Sequence, residues 1–269
     1  MGPGHAALAL YAVSRRELLK FLHQHGRLFS ALVRPALWLV VFAAGFQNVF
    51  GVSIIPPYDT YIEYQVYIVP GLLGMVLLFN GMQSSLAMVY DREMGIMRLL
   101  LTAPLPRWYL LLSKLLAGTL LSVVQAYAFL LLCALFQVDI PWSGGLYALP
   151  ALVLVGMMLG ALGLLLSVYI RQLENFAGTM NFVIFPMFFL STALYPLWKL
   201  QESGAEAVYQ IARLNPFTHA VELIRFALYG QFNALACGVV TGALVLFFVA
   251  AVLGYDPQRG MVQKIKRPG

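Results

Sequence analysis

The chain has 269 residues, of which 61% are hydrophobic and only 10% charged, with a mean hydropathy of +0.81. That is too little polar surface for a soluble domain of this length. The net charge of +6 does not describe a nucleic-acid footprint, because the basic residues gather at the edges of apolar stretches, where they face anionic headgroups.

From the N-terminus, residues 1–34 form a cytoplasmic segment carrying an amphipathic helix over 7–34. Arg16, Lys20, His23, Arg27 and Arg34 share one face, and Leu18, Phe21, Leu22, Leu28, Phe29 and Leu32 the other. That pattern suits a helix lying in the membrane interface; a helix packed on a partner would look the same. The remainder, 35–269, reads as one transmembrane domain. Crossing ~30 Å of hydrocarbon takes about 20 apolar residues, and six stretches qualify, near 35–51, 66–89, 110–136, 146–169, 177–197 and 234–254. The first lies too deep in the chain and runs too long for a cleaved signal peptide. Fourteen of the 17 basic residues then fall on one side, and only Lys199, Arg213 and Arg225 on the other. The positive-inside rule therefore puts both termini in the cytoplasm. Cys133 and Cys237 are too few for a disulfide framework and read as free thiols within spans.

Within the spans, Gly156, Gly160, Gly163 and Ser167 form a small-residue face for close helix packing. Pro186 predicts a kink in the fifth span. Phe182, Phe185 and Phe189 make an aromatic stripe that suits packing or lipid contact. In the outer stretch 198–233, Asn215-Pro216 is a helix start, Asn as cap and Pro at the first position. The helix that follows, about 217–229, is ~20 Å long and too short to cross. With Glu222 and Arg225 on it, it reads as a helix dipping into the membrane from outside.

The span interiors carry no Asp, Glu, Lys, Arg or His; Lys114 sits at a cytoplasmic entry from which it can snorkel. Ion-coupled transport needs such groups near the midplane, so it is disfavoured. Metal-site and nucleophile-elbow motifs are absent, as are histidines for redox ligation, so the chain is read as no enzyme and as binding no cofactor itself. No phosphate-loop motif occurs either, which leaves energy to come from another polypeptide on the cytoplasmic face.

The segment from Tyr90 to Arg107 (YDREMGIMRLLLTAPLPR) resembles the cytoplasmic signature of ABC-2 type transporter permeases. Glu93, Gly95, Leu100 and Pro104 match it or lie within a residue of doing so; Ile96 and Arg98 depart from it, standing where Thr and Glu are usual. Tyr67–Gly71 (YIVPG), Leu194–Trp198 (LYPLW) and Leu214–Glu222 (LNPFTHAVE) add similar stretches in family order. Within the family the chain looks most like permeases associated with pyrroloquinoline-quinone-dependent alcohol oxidation.

The resemblance implies an all-α subunit that forms a homodimer in the bacterial inner membrane. It also implies two separate ATP-binding subunits, which hold ATP and Mg, and export of an amphiphile. The contact with them would involve Asp91, Arg92, Glu93, Gly95, Arg98, Leu99 and Pro104, on a short helix able to seat its Leu face in a partner's groove; lying on the headgroups is the alternative. The path between two copies would be lined by the uncharged Asn80, Gln83, Ser84, Gln125 and Asn181, and the outer dipping helix would carry Asn215, Pro216, Glu222 and Arg225. The alternatives to an exporter are a non-transporting assembly subunit and a channel.

Overall fold

In the computed structural model the described residues are 11, 12, 14–16, 19, 33–41, 45, 56–58, 62–94, 106–170 and 172–255. Most of the expected interfacial helix over 7–34, most of the first span and all of 95–105 lie outside them. The described fold is helical. In chain order come α1 (Tyr64–Glu93), α2 (Arg107–Leu135), α3 (Trp142–Tyr169), α4 (Leu173–Phe189), α5 (Leu197–Glu202), α6 (Glu206–Leu214), α7 (Pro216–Leu228) and α8 (Ala234–Gly254). Residues 33–41 are also helical.

Four helices are long and apolar enough to cross a membrane among the described residues: Tyr64–Asp91, Trp108–Leu135, Trp142–Tyr169 and Ala234–Gly254. They coincide with the expected second, third, fourth and sixth spans. α3 is the hub, packed against α1, α2, α7 and α8. Its small-residue face makes that possible. A Cβ at Gly163 would stand 2.9 Å from the Gly81 carbonyl oxygen and 2.5 Å from Ser85 Oγ, and one at Gly160 would stand 2.7 Å from Leu115 Cδ1. Backbone thus approaches backbone between α1 and α3, which supplies the dispersion contact that drives association in lipid. Gly163→Leu is accordingly expected to cost about 1–3 kcal/mol of stability, read as a lower melting temperature in nanodiscs. Gly238→Leu on α8, where nothing lies within 4 Å of the added Cβ, is expected to leave it unchanged.

The fifth expected span, near 177–197, is corrected. Its helix α4 begins at Leu173 and stops at Phe189, with Pro186 in its last turn. Residues 190–196 are turns rather than helix, yet Ser191, Thr192, Ala193 and Leu194 are buried. The reason is local competition: Ser191 Oγ donates to the Phe188 carbonyl at 2.6 Å and accepts from the Ala193 N–H at 3.2 Å, an alternative to the helical ladder. Pro196 then holds Tyr195 away from helical backbone.

The expected start of the outer helix holds. Asn215 accepts from the Phe217 N–H at 2.9 Å through its side-chain oxygen, with Pro216 as the first helical residue. Its amide nitrogen also donates to the Met187 and Leu190 carbonyls at 2.8 and 2.7 Å. One side chain therefore caps the start of α7 and the end of α4 together. The expected aromatic stripe on α4 faces outward, with Phe182, Phe185 and Phe189 all exposed; Phe189 meets Trp38 of the 33–41 stretch. Cys133 and Cys237 are free thiols.

Candidate functional site: a polar pocket between two anchored ends

At the C-terminal end of α1, Asp91 is 1% exposed. Arg16 Nη2 donates to both of its carboxylate oxygens at 3.3 Å, and Lys114 Nζ to one of them at 3.3 Å. A buried carboxylate is retained only where cations meet it, and here they come from the N-terminal region and from α2. Glu93, two residues on, is exposed, and its Oε1 accepts from the Leu173 N–H at 3.0 Å. Leu173 opens α4, whose own N-cap Gln172 makes no side-chain cap. Glu93 thus fills one of that helix's orphan donors and complements its dipole. Of the expected coupling residues, Asp91 and Glu93 are therefore engaged within the chain. Arg92 lies on α1, and Gly95, Arg98, Leu99 and Pro104 lie outside the described residues.

Midway along the bundle, Asn80, Gln83 and Gln125 line one small pocket with Met75, Val76 and Phe79. Asn80 Nδ2 donates to Ser122 Oγ at 3.0 Å, and Ser122 in turn donates to the Gly118 carbonyl at 2.9 Å. Asn80 Oδ1 and both amide atoms of Gln125 are buried without a partner; the two residues are 3% and 2% exposed. Such groups cost free energy unless something meets them. Ser84 lines a second pocket beyond the α1–α2 contact, with Ser85 and Lys114. Asn181 is exposed on α4 and is not brought to either pocket.

The pocket also contains a residue that sequence reasoning placed elsewhere. Arg34 was expected at the cytoplasmic edge, but its guanidinium lies 3.9 Å from the Phe79 ring centre and lines the pocket with Pro35. Phe79 is near the middle of α1, about 21 Å from Glu93 at ~1.5 Å per residue. The candidate wall is therefore not free of fixed charge. Its only sequence signal was a basic residue directly before the first apolar run.

At the opposite end, Arg225 of α7 is 2% exposed. It pairs with Glu222, donates from Nη2 to the Thr192 carbonyl at 2.9 Å, and stacks 4.2 Å from the Tyr67 ring centre. Tyr67 and Tyr64 hydroxyls donate to the Thr192 and Leu194 carbonyls at 3.2 and 2.8 Å. A Cβ at Gly71 would stand 2.7 Å from Ala193 Cα, so the glycine admits this backbone. Burial pushes the nearby Tyr58 and Tyr229 phenols above their ordinary value, so both stay neutral and Glu222 is the counter-charge. The cluster clamps the non-helical 190–196 segment onto α1; Thr192 was not singled out in the sequence, and Tyr67 only as the first residue of the YIVPG stretch.

These features define a multi-pass helical membrane protein with a polar pocket inside its bundle and both ends of α1 tied to its neighbours. The ABC-2 type transporter profile matches residues 9–229, and the chain belongs to that family. It is a membrane transporter subunit of the permease kind, and the family as a whole works with an ATP-binding-cassette subunit. Among similar proteins, the putative transport permease ycf38 of Porphyra purpurea is 28% identical over 80% of this chain and 72% of its own length. The probable multidrug ABC transporter permease YbhR of Escherichia coli K12 is 26% identical over 62% of this chain and 45% of its own. Nodulation protein J of Rhizobium leguminosarum bv. viciae is 33% identical over 42% of this chain and 41% of its own.

Proposed function

We propose that the chain is the permease half of an ATP-driven exporter of an amphiphile. Two copies meet in the membrane, and two copies of a separate ATP-binding subunit, holding ATP and Mg, engage the segment 91–106 from the cytoplasm. The chain has six spans in a bacterial inner membrane, with both termini cytoplasmic and α5–α7 re-entrant from outside. In this topology residues 190–196 complete the crossing begun by α4. Irregular backbone at membrane depth is tolerated where protein covers it, and the Tyr64, Tyr67 and Arg225 contacts supply that cover.

The observation that supports this reading is the anchoring of the start of the cytoplasmic segment. Asp91 ties α1 to Arg16 and Lys114, and Glu93 ties it to α4. A displacement imposed just beyond Met94 is therefore delivered to α1, α2, α4 and the N-terminal region together, as near-rigid elements. A photo-crosslinking side chain at Leu99 tests the reading in native membranes. The expected adduct is a polypeptide carrying a nucleotide-binding phosphate loop; adducts with lipid alone would return the segment to a headgroup-lying role and remove the exporter reading.

A further inference from the structure

We propose that residues 56–58 are a releasable strap across the Arg225 cluster, with Tyr58 as its tooth and the turn after α7 as its socket. The socket is built by the local sequence. Gly230 stands just past the end of α7 with a φ of +67°. Its N–H donates to the Ala227 carbonyl at 3.0 Å, and the Gln231 N–H donates to the Phe226 carbonyl at 3.0 Å. That pair of bonds, closed by a left-handed glycine, is a well-defined helix ending. The direction in which Gln231 leaves α7 is therefore fixed.

The strap meets this socket at two points. Proline has no N–H to offer, so its carbonyl is the polar group that Pro57 presents. Gln231 Nε2, 174 residues away in sequence, donates to it at 3.3 Å. Tyr58 then sets its ring edge-on to Tyr229, the C-cap of α7, with 4.9 Å between ring centres. Tyr58 is 4% exposed, and Arg225 and Glu222 lie near enough for their charges to act on its phenol. A short stretch ahead of α1 thus joins the cluster that clamps 190–196.

What makes the strap releasable is the state of its tip. The Tyr58 hydroxyl lies beside the Arg225 guanidinium without meeting it in hydrogen-bond geometry, and both it and Arg225 Nε are buried with no partner. Seating Tyr58 gains ring contact but strips water from two polar groups, a loss that no bond inside the cluster offsets. Tyr64 and Tyr67, by contrast, each donate a hydroxyl to a carbonyl of the clamped segment. Arg225 keeps Glu222, the Thr192 carbonyl and the Tyr67 ring whether or not Tyr58 is seated. The cluster therefore has a tied part, with an ion pair and several hydrogen bonds, and a strap held by one ring contact and one long hydrogen bond. Release admits water to Arg225 Nε while α1 and 190–196 stay together. The device is independent of the exporter reading, whose test lies in 91–106, beyond the other end of α1.

Hydroxyl-radical footprinting of the full-length chain in nanodiscs, read tyrosine by tyrosine by mass spectrometry, tests the strap. Tyr67, 0% exposed, is the internal reference. Gln231→Leu removes the bond to Pro57 at an exposed position, so the variant is expected to fold and melt as the wild type does. It is expected to raise Tyr58 oxidation roughly two- to tenfold, the loss of one neutral hydrogen bond, with Tyr67 unchanged. Tyr58→Phe keeps the ring and deletes the unmet hydroxyl. It is expected to hold the strap more firmly and so to slow the oxidation of Tyr229, which the ring at position 58 covers. Tyr58 oxidation unchanged in Gln231→Leu overturns the proposal, because residues 56–58 are then fixed to the core by other means. A joint rise of Tyr58 and Tyr67 also overturns it, because the cluster then opens as one unit. Equal or faster oxidation of Tyr229 in Tyr58→Phe does so as well, by showing that the hydroxyl is bonded in its seat.

Discussion

Glu222→Ala is expected to be among the most destabilising single substitutions in the chain, costing about 3–5 kcal/mol, because it leaves a fully buried guanidinium without its counter-charge. Arg225 is 2% exposed and Glu222 is the carboxylate it meets. An arginine cannot escape by losing its proton. The Thr192 carbonyl and the Tyr67 ring remain, but neither carries a formal negative charge. Thermal unfolding in nanodiscs should show a fall on the order of 10 °C. The paired variant Glu222→Leu with Arg225→Met removes both charges, and replacing a buried pair with packed apolar groups is often neutral. It is expected to recover most of the loss while leaving the Thr192 carbonyl to Tyr67 alone. If the single and paired variants melt together, the clamp on 190–196 owes its strength to packing and not to the ion pair.

The helices of this bundle were legible where one property of the local sequence decides the outcome. Apolar length placed α1, α2, α3 and α8, and the Asn215-Pro216 start of α7 was readable because capping is settled by adjacent residues. The Gly156–Ser167 face was readable for the same reason, since helical spacing alone puts its members together. Residues 190–196 were not readable as turns. Their hydropathy resembles that of a helix, and what releases them is a set of donors far away in sequence: Tyr64, Tyr67, Asn215 and Arg225. The candidate site divides along the same line. Asn80, Gln83 and Gln125 were recognisable as polar residues in apolar runs, and they do share a pocket. Asn181 had the same signature but faces outward, because the side of a helix that turns to the core is a property of the neighbours. Arg34 was misplaced in depth. A positive charge beside an apolar run ordinarily marks the membrane edge, and only the packing of 33–41 against α1 and α4 puts it halfway along.

The second large effect is expected at the C-terminal end of α1. Asp91→Ala removes the carboxylate that Lys114, 9% exposed, and Arg16 share. Arg16 is a third exposed, so part of its charge is screened by solvent, and the loss is placed at about 2–3 kcal/mol, below that of a wholly buried pair. The more informative consequence is local. Asp91 joins the N-terminal region and α2 to α1, whereas Glu93 joins α4. Hydrogen exchange should therefore quicken around residues 14–19 and in the first turns of α2 in Asp91→Ala, with α4 unaffected. Glu93→Ala should do the converse, quickening the amides at the start of α4 while Arg16 and Lys114 remain held. If Asp91→Ala also loosens α4, the two acids act as one unit through the end of α1. If neither variant changes exchange beyond its own residue, the segment that follows α1 is not mechanically joined to the bundle at its start. Motion from an ATP-binding subunit would then have to enter through Arg107 and the start of α2, at the other end of the segment.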